Sequence, residues 1–152
     1  MVRKGVEECA RTYEGLFVEG DPDARIKSLE MRNVGTVKAM VEAIARDDFD
    51  AIARVVDEGV RLQILAPPDV PFIRSAEGAP AFVDAVRRNF TMLEAQTPVV
   101  LSIVAQVEAV VVILREQGRY AEDGRGYDLH AVQEFLFREG KLARVFEICA
   151  RS

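Results

Sequence analysis

The chain has 152 residues, 49% of them apolar and 30% charged, with a formal net charge of −5. This is one domain's length with enough apolar material for a core, which excludes a disordered or fibrous chain. The acidic balance, with no run of Lys or Arg longer than two, argues against a nucleic-acid partner, and the longest apolar run, Ala109–Leu114, is far short of the ~20 residues needed to span a bilayer.

In chain order, the first segment, Val2 to Phe17, repeats apolar residues (Val6, Cys9, Ala10, Tyr13, Leu16, Phe17) at three- and four-residue steps, the pattern of an amphipathic helix. It has no apolar core before a cleavage site and so does not read as a signal peptide. Gly20 ends it, and Asp21-Pro22 supplies an N-cap and a proline at the first position of the next helix. That helix carries Ile26, Leu29, Val34, Val37, Met40, Val41 and Ile44, with an interruption expected near Asn33–Gly35, and stops at Arg46-Asp47-Asp48. A short helix follows from Phe49 to Val56, closed by Asp57-Glu58-Gly59.

After Gly59 the period changes to two. Val60, Leu62 and Ile64 alternate with Arg61 and Gln63, a half-buried strand closed by Pro67-Pro68. A brief extended piece, Pro71–Arg74, leads through Ser75–Gly78 into a helix from Ala79 to Leu93 that buries Phe82, Val83, Val86, Phe90 and Leu93. Beyond Thr97 the pattern predicts strands over Val99–Val107, Ala109–Arg119, Tyr127–Phe137 and Leu142–Cys149, with turns at Glu108, Glu122–Gly126 and Glu139-Gly140. Helices followed by a meander indicate an α+β domain.

Four phrases within that order carry a resemblance. They are Ala45-Arg46-Asp47-Asp48-Phe49-Asp50-Ala51-Ile52, Val56-Asp57-Glu58-Gly59-Val60, Ala76-Glu77-Gly78-Ala79-Pro80-Ala81-Phe82 and Phe135-Leu136-Phe137-Arg138-Glu139-Gly140-Lys141-Leu142. Together, over roughly Asn33 to Ala150, the chain resembles the nuclear-transport-factor-2-like superfamily, in its SnoaL-like and ketosteroid-isomerase-like branch. The resemblance implies a curved antiparallel sheet wrapped around N-terminal helices, a cone with an apolar pocket, over residues 31–152. Residues 1–30 are then a helical extension. It also implies a homodimer through the convex face of the sheet, where Val132, Leu136, Phe146, Ile148, Val111 and Ile113 would form an apolar patch.

In the family the aromatic pair before the hairpin points inward, which here is Phe135 and Phe137. Alternation then places Gln133, Ala131 and Leu129 on the same face, and His130, Val132, Glu134 and Leu136 on the other. A bulged turn at Gly140 would bring Val145, Glu147 and Cys149 inward as well, opposite Gln133, Ala131 and Leu129; a two-residue turn would reverse the register by one. Ile64, Met40 and Phe90 complete the expected pocket lining.

Carried over residue by residue, the isomerase pattern fails. Its base position falls on Ile64, its oxyanion tyrosine on Met40 and its second acid on Gln133, and an isoleucine cannot take a proton. The SnoaL-like cyclases place an acid/base aspartate on the last strand, where this chain has Glu147; their partner histidine corresponds to Gln133. Glu147 is flanked by Val145, Phe146, Ile148 and Cys149, so an inward carboxyl there is desolvated and suited to proton transfer near neutral pH. The plainer reading pairs it with an arginine or leaves it in water. Glu116 is a second acid that faces the pocket only if the Glu122–Gly126 turn centres on Asp123-Gly124, opposite Ala131 and beside Glu147.

The candidate catalytic residues are therefore Glu147, Gln133 and Glu116. No cofactor is expected: one histidine and two distant cysteines cannot assemble a zinc set, and no GxGxxG, Walker A or GxSxG motif occurs. Cys9 and Cys149, without a CxxC, suit a reducing cytoplasm, although one disulfide is not ruled out by counting. The expected partner is a small apolar molecule. The function is either cofactor-free acid/base catalysis on a ring- or carbonyl-bearing substrate or ligand binding without catalysis.

Overall fold

The computed structural model describes residues 24–152, so the expected helix Val2–Phe17, the Asp21-Pro22 cap and Cys9 lie outside the described residues. Among the described residues three helices, α1 (Ala24–Ala45), α2 (Phe49–Val55) and α3 (Ala79–Thr91), accompany six strands. The strands are β1 (Val56–Leu65), β2 (Ser75–Glu77), β3 (Leu93–Gln106), β4 (Ala109–Tyr120), β5 (Gly126–Arg138) and β6 (Lys141–Arg151). They form one sheet in the order β2-β1-β6-β5-β4-β3. This is the α+β cone, with one addition: β1 runs parallel to β6, so the sheet is mixed.

Several boundaries differ from the sequence-based expectation for local reasons. Helix α1 is unbroken through Asn33–Gly35. The amide of Asn33 donates to the Val107 carbonyl at 3.3 Å and Glu30 accepts from the Val107 amide at 2.8 Å, which ties α1 to the β3–β4 turn. Residue 30 lies inside this continuous helix. Asp48 caps α2 by accepting from the Ala51 amide at 3.1 Å. Asp57–Gly59 does not close that helix but begins β1, irregularly, between the pairs Val56–Leu142 and Arg61–Arg144. Ser75–Glu77 is a strand because β1 offers it a ladder, and β3 starts at Leu93, six residues early, because β4 pairs with it as far as Tyr120.

The core lies between the concave face of the sheet and the helices. Ile52, Val60, Phe82, Val110 and Leu142 are essentially inaccessible to solvent. The convex face is different. Leu65, Ile148, Val132 and Ile113 form one hydrogen-bonded row across β1, β6, β5 and β4, and all four are exposed, from 36% to 47%.

Candidate active site

The concave face and the helices enclose a cavity of about 140 Å³. Helix α1 contributes Met40, β1 contributes Ile64, and β5 and β6 contribute Ala131, Phe135, Val145 and Cys149. Phe90 of α3 lines it too and is 37% exposed; with Val41 of α1, 60% exposed, it marks the mouth. The loop between β1 and β2 adds Phe72. This loop is held at both ends. The Arg74 guanidinium donates to the carbonyls of Ala66, Pro67 and Val70 at 2.7, 2.7 and 3.3 Å. Asn89 of α3 bonds both the amide and the carbonyl of Ile73.

Glu147, Gln133 and Glu116 all line this cavity. Glu147 stands opposite Gln133 on the neighbouring strand. One of its oxygens accepts from the Gln133 amide at 3.0 Å and the other from the Cys149 thiol at 2.9 Å. No arginine reaches it among these contacts. Burial pushes its carboxyl above the ordinary glutamate value and the charge of Glu116 adds to this, while the Cys149 and Gln133 hydrogen bonds pull the other way. Burial also raises the Cys149 thiol, and the adjoining Glu147 charge raises it further.

The hairpin that sets this register combines two devices. Glu139 and Gly140 both take left-handed backbone (φ 51° and 78°), the geometry of a tight two-residue turn. The pairing then slips by one between Phe137–Leu142 and Leu136–Arg144, leaving Ala143 as a bulge. The turn alone would have sent Glu147 outward; the bulge returns it to the concave face. The pairs are Val145–Phe135, Glu147–Gln133 and Cys149–Ala131, two residues along from the expected partners with the faces unchanged.

Glu116 pairs with Leu129, not Ala131, so it is not beside Glu147. The two carboxyls have separate partners and do not share a proton. Glu116 accepts from the Tyr127 hydroxyl at 2.5 Å and from the Gln96 amide at 3.0 Å. Burial, and then Glu116, raise the Tyr127 phenol and keep it protonated as a donor. Tyr127 lies on the same alternating face as Leu129 and was within reach of that pattern. Gln96 was not, because it precedes the expected start of its strand. His130 is exposed on the convex side, 2.7 Å from the Ser152 hydroxyl and away from the cavity. Among the described residues no group of His, Cys, Asp or Glu could hold a metal ion, and no helix is long and apolar enough to cross a membrane.

A model of the SnoaL-like domain matches residues 37–145. The chain belongs to the SnoaL-like family. Solved structures agree in fold. A nuclear-transport-factor-2-like protein from Burkholderia xenovorans is 22% identical with a TM-score of 0.67, covering 80% of this chain and 91% of its own. A candidate SnoaL-like polyketide cyclase from Jannaschia is 17% identical with a TM-score of 0.67, covering 88% and 91%. An epoxide hydrolase of M. tuberculosis is 14% identical with a TM-score of 0.60, covering 80% and 84%. No curated protein matches the sequence. At these identities the likeness is one of fold, and one fold hosts many chemistries.

Glu147 has a consequence for stability. Between the ordinary glutamate value and its raised native value, the native state keeps a proton that the unfolded chain has lost. Stability therefore falls as pH rises through that window and levels off above it. Glu147→Gln removes this term. The urea midpoint of the variant should gain on the wild type as pH is raised from acid to neutral; midpoints that stay parallel would show Glu147 to be solvated.

Proposed function

We propose that this protein binds one small apolar molecule in the cavity and that Glu147 exchanges a proton with it, without a cofactor. The observation that carries this reading is a carboxyl group desolvated in an apolar cavity and aimed by Gln133 rather than neutralised by a cation. Burial of such a group favours its protonated form; as the acid it can give a proton to a carbonyl oxygen, and as the carboxylate it can take one from an adjacent carbon. Gln133 and Cys149 each hold one oxygen, which fixes the carboxyl's rotation and leaves its remaining directions for the ligand. The cavity approaches the about 150 Å³ that holds a benzene molecule elsewhere, so the ligand is of single-ring size.

The test is enolisation. Cyclohexanone incubated with the protein in D₂O should lose its α-proton NMR signals faster than in buffer. Glu147→Gln, which keeps the shape and loses the acid, should reduce the enzymic rate by about 10²–10⁴-fold. The second reading, a binding module, is favoured by the apolar Ile64 and Met40 where the isomerase pattern has its acid and its tyrosine. Binding without exchange would establish it, and no binding of any ring-sized probe would refute both.

The exposed row Leu65–Ile148–Val132–Ile113 supports a homodimer through the convex face. Sedimentation should give twice the monomer mass of 16.9 kDa at micromolar concentration. Val132→Lys, which places a charge in the middle of that row, should shift the protein to monomer while leaving its circular dichroism unchanged. A wild-type monomer would dispose of the proposal.

A further inference from the structure

The charges facing the cavity restrict what it can accept. Two of its lining residues are acids, Glu116 from β4 and Glu147 from β6, and none is Lys, Arg or His. The other polar lining groups are committed. Asn89 is bonded to the backbone of Ile73, and the Tyr127 hydroxyl and the Gln133 amide each donate to one of the two acids. Cys149 donates to Glu147 and adds no positive charge. Arg74 acts on Cys149 electrostatically, but its guanidinium is held by the carbonyls of Ala66, Pro67 and Val70 and is not part of the wall. Apart from Asn89, the helices contribute only apolar side chains, and the rings of Phe72, Phe82, Phe90, Phe135 and Tyr127 stand around the space.

An anion entering this cavity would meet two carboxyls in a medium of low dielectric, with no cation to receive it. A basic nitrogen meets the opposite conditions. An ammonium is costly to bury unless it is paired, and here carboxylates and aromatic faces are both present to pair it. We infer that the ligand of this cavity is an apolar, single-ring molecule bearing a basic nitrogen, held as an ammonium by Glu147 in a wall whose second acid, Glu116, also favours positive charge. If the amine arrives neutral, the proton passes from the Glu147 carboxyl to the nitrogen lone pair, leaving a carboxylate–ammonium pair. If it arrives protonated, Glu147 releases its proton to water. No other bond changes. The inference rests on the pocket reading above and does not require turnover.

Three probes of one shape decide it by isothermal titration calorimetry at neutral pH: benzylamine, benzyl alcohol and benzoate. Benzylamine should bind at least about tenfold more tightly than benzyl alcohol, the difference expected for a charge-assisted hydrogen bond over a neutral one, and benzoate should not bind detectably. In Glu147→Gln the preference for amine over alcohol should collapse to within about threefold, and in Glu116→Gln it should fall by a smaller factor. Conservation of the circular dichroism spectrum checks that both variants fold. Equal affinity for amine and alcohol in the wild type, binding of benzoate, or an undiminished preference in both variants would each overturn the amine assignment while leaving a pocket that binds rings. Failure of all three probes to bind would remove the pocket reading and this inference together.

Discussion

Truncating Phe82 to alanine is expected to cost about 3–5 kcal/mol, the usual range for emptying a fully buried phenylalanine site. Phe82 is 1% exposed, sits on the first turns of α3 and packs against the central core cluster that also contains Ile52, Val60 and Leu142. Its ring is one wall of the cavity, so the deleted atoms leave space continuous with a void that already exists. Neighbours on rigid strands cannot collapse into it, which favours the upper part of the range. Against a total stability of about 5–15 kcal/mol for an ordinary domain, such a loss brings the fold close to its limit. Urea unfolding measures it directly. A shift below about 1 kcal/mol would mean that α3 readjusts over the cavity and that the wall is soft.

Gly118→Val is the second large effect, and it works by excess volume instead of its loss. Gly118 lies on β4 directly opposite Tyr127, with the ring of Tyr127 folded across it. A β-carbon placed there would stand 2.6 Å from the Tyr127 hydroxyl oxygen, 2.8 Å from the ring carbon bearing it and 2.9 Å from the carbonyl oxygen of Glu94. The tyrosine could swing away, but the Glu94 carbonyl belongs to the backbone of β3 and can move only with the strand. The expected cost is about 3 kcal/mol, at the upper end of the range for overpacking. The displaced phenol would also abandon Glu116, leaving that acid with Gln96 alone among the hydrogen bonds described above. Tyr127→Phe separates the two consequences: it keeps the ring over Gly118, removes only the hydroxyl, and should cost about 1–3 kcal/mol. Gly126→Ala on the facing strand, whose β-carbon would meet nothing closer than 3.8 Å, should be much better tolerated.

These two residues illustrate unequal legibility. Phe82 belongs to a helical stripe with Val83, Val86 and Phe90, and its burial follows from spacing alone. The importance of Gly118 does not. In the sequence it is one glycine inside a strand pattern, and its reason is a ring reaching over from the next strand toward Glu116. The same division runs through the acids. The inward face of β5 was readable because alternation is a local property, whereas that of β6 depended on the turn and bulge that follow Arg138; the apolar sequence on either side of Glu147 implied its desolvation once it faced inward. The partners of Glu147 and Glu116 were not readable: both pairings are displaced by two residues from the expected ones.

By itself the sequence determined the α+β class, the order of helices before a meander, and which residues of β1 and β5 face the core. These follow from periods of 3.6 and 2, which depend on neighbours a few residues away. Only the tertiary structure decided the parallel pairing of β1 with β6, the arrival of Phe72 in the cavity on a loop pinned by Arg74, and the meeting of Gln96, Glu116 and Tyr127. It also decided how Glu147 turns inward, by a tight Glu139-Gly140 turn followed by a bulge at Ala143. Register is a property of hydrogen bonds between strands. A single bulge changes every pairing beyond it and shifts the alternation of its own strand by one, so Leu142 and Val145, three residues apart, share the concave face.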